Sequence, residues 1–216
     1  MSGAPQAPRG AGAPQAPRGA RQAPAYVAMV RRVSSRAALW AAGGWAFAEA
    51  VLFFLVPDVW LGYVALYAPR RMPVMLVAIT IGAALGATVL YLATLVFGDG
   101  LSSVITAVPG IDAADLERAR VELADQGAIA FLNGILAALP VKVYIHAAAL
   151  SGIDLVDVVV FTIINRIERL LVFGLVMALV GWLGRPAIAR WPLAAALLYV
   201  LAWVIFYAGF LLGGVA

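Results

Sequence analysis

Six ionisable side chains lie inside otherwise apolar stretches of this 216-residue chain: Glu49, Asp58, Lys142, Arg166, Glu168 and Arg169. A charge at the centre of a bilayer costs on the order of 2.5–3.5 kcal/mol by insertion scales, so such a set is tolerable only if its members face one another or water. Arg166 and Arg169 are three apart, share a helix face, and can present two guanidinium forks to one phosphate. Glu168 points elsewhere on the same helix. Two readings follow. The acids Glu49 and Asp58 and the basic trio Lys142, Arg166 and Arg169 neutralise each other as buried ion pairs, or they line a polar cavity for an anionic head group, with Glu49 or Asp58 as a protonatable switch. His146 is the single histidine and cysteine is absent. No carboxylate cluster has ligand spacing, so neither a metal nor another cofactor is expected, and His146 reads as a satisfied core residue. Ser102, Ser103 and Ser151 lack a G-x-S-x-G setting, Gly82-x-x-x-Gly86 reads as a close helix contact, and no catalytic constellation is visible.

The elements that must hold these charges are set by composition. The chain is 64% hydrophobic and 12% charged, with a mean hydropathy of +0.98; soluble domains average roughly 45–50% apolar and about 25% charged. So apolar a chain of this size requires lipid as its solvent. The net charge of +4 forms no aromatic-interleaved basic stripe, and nucleic acid is not an expected partner. Residues 1–24, in which GAPQAPRGA occurs at 3–11 and again at 12–20, read as a disordered, weakly basic tail. Arg31-Arg32 with Ala46-Phe47-Ala48 imitates a twin-arginine signal, but Glu49 and the apolar continuation to Val56 argue for a retained segment.

Residues 25–216 are expected to form one membrane domain. It comprises a hairpin at 37–68, a span at 74–98, an interfacial amphipathic helix at 112–126, a hairpin at 128–150, and spans at 155–183 and 193–213. Asp112 and Asp115 mark the start of the interfacial helix and Gly127 its stop. Trp40, Trp182 and Trp191 read as interfacial anchors. Counting arginines and lysines in loops gives ten inside and two outside whether 37–68 and 128–150 dip or cross, so charge bias fixes a cytoplasmic N-terminus and leaves that question open. Length argues for dipping, because 59–68 reaches only about 15 Å, half a bilayer. Pro57 with Asp58 and Pro140 with Lys142 then mark two hairpin tips, and broken segments at matching positions of two halves point to a transport site. An offset of 83 superposes Pro57 on Pro140, and Gly82 and Gly86 on Asn165 and Arg169. The expected fold is therefore an all-α, polytopic integral membrane helical bundle with two opposed re-entrant, proline-broken hairpins and an inverted repeat.

The stretches FAEAVLFFLVPDVWLGYVALYAPRR (47–71), TIGAALGATVLYL (80–92) and LPVKVYIHAAALSG (139–152) running on to NRIERL (165–170) resemble the DedA family, also called the VTT or SNARE-associated Golgi protein family, in its short bacterial branch. The resemblance covers roughly residues 45–183. Leu55, Val56 and Ala138 stand where the family often has prolines, and Leu90 and Asn165 where it has glycines. The resemblance implies opposed re-entrant hairpins in the bacterial cytoplasmic membrane and movement of lipids between leaflets, with members linked to polyprenyl-phosphate recycling, phospholipid scrambling and proton homeostasis. It places functional acids on Glu49 and Asp58, arginines on Arg166 and Arg169, and a lysine on Lys142. The expected function is thus flippase- or scramblase-type transport, with anionic head-group lipids, and protons as a coupling ion, for partners. The alternatives are a proton- or ion-coupled small-solute transporter and a non-transport membrane scaffold.

Overall fold

A computed structural model of the chain describes residues 24–133 and 139–212. The tail up to residue 23, the stretch 134–138 with Ala138, and residue 213 of the last expected span lie outside the described residues. Among the described residues the chain is helical and carries no strand. Helix α1 (Pro24–Val33) is separated from α2 (Arg36–Val51) by Ser35, whose Oγ accepts the Ala38 N–H at 3.2 Å and caps the second helix. The chain leaves helical geometry over 52–57 and re-enters it as α3 (Asp58–Tyr67). A 3-10 turn, Pro69–Arg71, leads into α4 (Met72–Phe97), and a second turn, Gly98–Leu101, into the short α5 (Ser102–Thr106). Helix α6 (Ala113–Gln126) opens on a reciprocal capping box between Asp112 and Asp115 and buries Leu116, Ala119 and Leu123 along one face.

After Gly127, at φ +62°, the chain runs through Gly127–Leu132 in 3-10 geometry, at the start of the hairpin expected over 128–150. Pro140 then precedes α7 (Val141–Leu150). Helix α8 (Leu155–Leu183) is capped by Asp154, whose Oδ1 accepts the Val156 N–H at 2.7 Å. A short α9 (Arg185–Arg190) turns the chain into α10 (Pro192–Leu212).

Contacts fix the directions. Gly43 packs on Ala78 and Gly82, and Phe47 on Gly86, so α2 and α4 run parallel. The stretch 52–71 must therefore carry the chain back to the level at which α2 began. It does so along α2 itself: the Trp45 indole donates to the Leu55 carbonyl (2.8 Å), and the Trp60 indole to that of Ala38 (3.2 Å). Helix α8 runs parallel to α3, with Phe173 against Gly62 and Gly181 against Leu66. Helix α10 runs antiparallel to 56–67. The Val56 N–H donates to the Tyr207 hydroxyl (2.9 Å), the Tyr199 hydroxyl to the Val59 carbonyl (2.7 Å), and the Tyr67 hydroxyl to the Pro192 carbonyl (2.8 Å). Helix α7 packs on α4 as α3 packs on α8.

Two apolar cores result. One joins α1, α2, α3 and the first half of α4; the other joins the second half of α4 to α6, α7 and the start of α8. Outside them, much apolar surface is open, including Val77, Ile81 and Leu85 on α4 and Leu197, Leu198 and Ile205 on α10. Two helices, α4 within Pro69–Thr106 and α10, are long and apolar enough to cross a membrane. Only 6% of α10's most apolar stretch is buried, so that helix lies along the outside of the bundle.

The α2–α4 contact depends on the absence of side chains. A Cβ on Gly86 would stand 2.6 Å from the Phe47 carbonyl oxygen, and one on Gly82 would clash with the Gly43 carbonyl. Gly82→Ala or Gly86→Ala is expected to lower stability by about 1–3 kcal/mol through overpacking. Gly44→Ala, which meets nothing within 4 Å, should be neutral or slightly stabilising, since alanine is the better helix former. Thermal unfolding of the three purified variants in detergent distinguishes them.

Candidate functional site

Five charged side chains from four helices meet where α2 ends and where α3 and α7 begin. Glu49 sits in the last turn of α2, which the glycine contact holds against α4. Asp58 is the first residue of α3, behind Pro57, so its carboxylate lies at the helix end where the peptide dipoles favour negative charge. Lys142 is the second residue of α7, just past Pro140. Arg166 and Arg169 lie one turn apart near the middle of α8.

The pairing is specific. Arg166 Nη2 donates to Glu49 Oε2. Lys142 Nζ donates to the Phe53 carbonyl at 2.7 Å and lies 3.9 Å from Glu49 Oε1. Glu49 thus bridges two cations, and all three groups are buried, with Arg166 only 1% exposed. Arg169 Nη2 meets Asp58 Oδ2 at 2.9 Å in a looser pair, the arginine side chain being 37% exposed. The two guanidinium groups, which the sequence allowed to converge on one phosphate, are each engaged by a carboxylate. The Nε atoms of Arg166 and Arg169 are buried and have no hydrogen-bond partner among the described residues.

All five charged groups and Pro140 line one cavity of about 340 Å³, far above the roughly 10–15 Å³ that admits a water molecule. Pro57 stands directly before it without lining it. The cavity holds three cations against two carboxylates. The first turns of α3 and α7 both open onto it, adding the partial positive charge of two helix N-termini. Its outer wall is aromatic: Trp203, Phe206, Tyr207 and Phe210 of α10. These were missed at the level of sequence, where 193–213 showed only an uninterrupted span. The signal that could have found them is their spacing, i, i+3, i+4, i+7, which places four aromatics on one helix face. Asn165 is another such residue. It lines the cavity and its Nδ2 donates to the Phe131 carbonyl at 2.9 Å, tying α8 to the 3-10 stretch.

The other candidates lie elsewhere. His146 is fully buried between Thr94 Oγ1, 3.0 Å from Nδ1, and Ser102 Oγ, 2.8 Å from Nε2. Thr94 already donates its hydroxyl hydrogen to the Leu90 carbonyl, so it accepts from Nδ1–H and leaves Nε2 to accept from Ser102. The imidazole therefore ties α4, the start of α5 and α7 together, and none of the three side chains lines the central cavity. Glu168 is exposed on α8, beside the exposed Ile164, Ile167 and Leu171, with no ion pair among the described residues. No three His, Asp or Glu side chains among the described residues are placed to hold a metal ion. Neither family models, nor characterised proteins, nor solved structures yield a match to this chain.

The pairing ranks the charges by what their loss leaves behind. Glu49→Gln strands two buried cations, whereas Arg166→Met leaves Glu49 still beside Lys142. Breaking a buried pair from one side costs roughly 3–5 kcal/mol, so Glu49→Gln is expected to lower the unfolding temperature most, Arg166→Met less, and Asp58→Asn at the half-open pair least. The order of the three midpoints in detergent checks the assignment.

Proposed function

We propose that this chain is a polytopic membrane protein of the DedA type that moves lipids with phosphate-bearing head groups between leaflets, through the cavity at the ends of α2, α3 and α7. The observation that carries the reading is the excess of one cation over the carboxylates, reinforced by two helix N-termini, around a cavity with an aromatic wall. Such a site attracts an anion and offers apolar cover for whatever is attached to it.

Several features support the membrane architecture within this reading. Helices α3 and α7 are both ten residues long and start 83 residues apart, as do α4 and α8. Helix α3 packs on α8 and α7 on α4, the exchange expected if two halves of like build are inverted against each other. On this view the hairpins expected at 37–68 and 128–150 are re-entrant, and their proline-bearing positions, Pro57 and Pro140, meet at mid-depth. Irregular backbone there is stable because it is buried in protein and its polar groups are matched, as at the Phe53 and Leu55 carbonyls and the Val56 N–H. The arginine-bearing end, with α1, the Pro69–Arg71 turn and α9, faces the cytoplasm of a bacterial cell.

The two ion pairs then take different parts. Glu49, Lys142 and Arg166 form a fixed buried post. Arg169, half open to the cavity, exchanges the Asp58 carboxylate for a lipid phosphate, and Asp58, released, is the group placed to take up a proton. Helix α10 bounds the cavity and is otherwise scarcely buried, so the acyl chains stay in the bilayer along it while the head group passes inside.

The test is reconstitution in liposomes, with leaflet exchange of labelled phospholipid and of polyprenyl phosphate followed for the native chain, Arg169→Ala and Asp58→Asn. The expected result is exchange by the native protein that falls at least tenfold in both variants, which remain folded and inserted. Native-rate exchange in both, or none with intact native protein, overturns the reading. Uptake of a small anionic solute without lipid movement would identify the alternative transporter.

A further inference from the structure

A second concavity lies at the opposite end of α3 from the central cavity. It encloses about 700 Å³ and is walled by α1, the Pro69–Arg71 turn, the end of α8 and the start of α9. Four arginines from three separate stretches of the chain line it: Arg31, Arg70, Arg71 and Arg185. None lies within ion-pair distance of a carboxylate among the described residues, where the paired cations are Arg118, Arg120, Lys142, Arg166 and Arg169. The sequence explains why: residues 24–48, 59–98 and 169–212, within which the described residues of this end fall, contain no Asp or Glu. A general preference for basic residues on one side of a membrane would put arginines at this end. It would not gather four of them around a single hollow.

We infer that this hollow is a binding site for a phosphate-bearing anion, separate from the central cavity and not dependent on the transport reading. The four guanidinium groups are exposed around the hollow with no carboxylate beside them among the described residues, and the planar fork of arginine matches the oxygens of phosphate. Tyr26 and Trp182 line the same hollow, so the ligand meets amphipathic aromatic surface beside the charge. A lipid head group and a free phosphate compound share the required chemistry, and the experiment separates them.

The full chain, purified in detergent, is titrated with dioctanoyl phosphatidic acid, with dioctanoylglycerol and with inorganic pyrophosphate, and binding is followed by native mass spectrometry and calorimetry. Three variants run beside it. Arg71→Gln/Arg185→Gln removes two charges brought to the hollow by separate stretches of the chain. Arg36→Gln/Arg190→Gln removes two charges that do not line it; Arg190 instead lies over the Trp191 ring at 5.7 Å. Arg169→Ala perturbs the central cavity. The expected result is saturable binding of phosphatidic acid, none of dioctanoylglycerol, and a loss of at least tenfold in affinity at one class of site in Arg71→Gln/Arg185→Gln, with its unfolding temperature unchanged and no loss in Arg36→Gln/Arg190→Gln; Arg169→Ala keeps that class of site and loses only binding at the central cavity. Equal loss of pyrophosphate binding in Arg71→Gln/Arg185→Gln, with phosphatidic acid no tighter, sustains the site and makes its ligand a free phosphate compound. Absence of saturable binding by either phosphate probe overturns the site. So does equal loss in Arg36→Gln/Arg190→Gln, which would assign the effect to general surface charge, or loss of all phosphatidic acid binding in Arg169→Ala, which would assign it to the central cavity. Because Arg169→Ala is also the transport variant, failure here and failure of lipid exchange are read separately.

Discussion

The bridge from Glu49 to Arg166 and Lys142 is the constraint on which the rest of the arrangement depends. Removing a charge from water costs several kcal/mol even after relaxation, and only a close partner of opposite sign offsets it. One carboxylate and two cations, each almost inaccessible to solvent, come from α2, α7 and α8. These helices cannot place them together unless α2 ends, and α7 begins, deep in the bundle. The breaks at 52–57 and before Pro140 are therefore consequences of charge burial as much as of proline. Once the backbone is broken there, its own polar groups need partners: the Phe53 carbonyl takes the lysine, the Leu55 carbonyl takes Trp45, and the Val56 N–H finds Tyr207.

That dependence explains what could be seen in the sequence. Asp112 and Asp115, three apart ahead of a periodic apolar face, are a local signal for a helix start, and both members of the capping box are formed. The expensive charges also announce themselves, because an ionised group in an apolar run has no ordinary explanation. Which acid meets which base was not legible. Glu49 and Arg166 are 117 residues apart, and nothing local distinguishes that pairing from one between Glu49 and Arg169. The aromatic wall of α10 was hidden for a different reason. A helix apolar all round shows no hydrophobic face, so the side that bounds the cavity is marked only by the type of apolar residue it carries. Ser102 and His146, in contact though 44 residues apart, were invisible in the same way.

Burial then sorts the charges into two kinds. The bridge at Glu49 is closed, and its work is to hold three helices in register. In the Asp58–Arg169 pair the carboxylate is buried while the arginine side chain is 37% exposed, so solvent reaches this pair as it does not reach the bridge at Glu49. A pair that solvent reaches, facing a cavity, is one an incoming anion can displace, whereas the closed bridge is not. Both arginines line the same hollow, and on the proposed reading Arg169 is the one that changes partners.

The proposed repeat adds a reason for the cavity to lie where it does. In the first half, Gly82 and Gly86 let α2 lie directly on α4, backbone against backbone, with no space between. The positions 83 residues later carry Asn165 and Arg169. Neither permits so close an approach. Asn165 instead reaches across to the Phe131 carbonyl, and Arg169 turns to Asp58. The residues 83 places after the part of α2 that meets Gly82 and Gly86 form the 3-10 run Gly127–Leu132, and Asn165 and Arg169 line the central cavity. Two halves of like build, one sealed by glycine and the other held apart by polar side chains, leave a hollow on one side only. On the proposed repeat, the departure from symmetry at Asn165 and Arg169 is what turns a packed helix contact into the wall of a cavity.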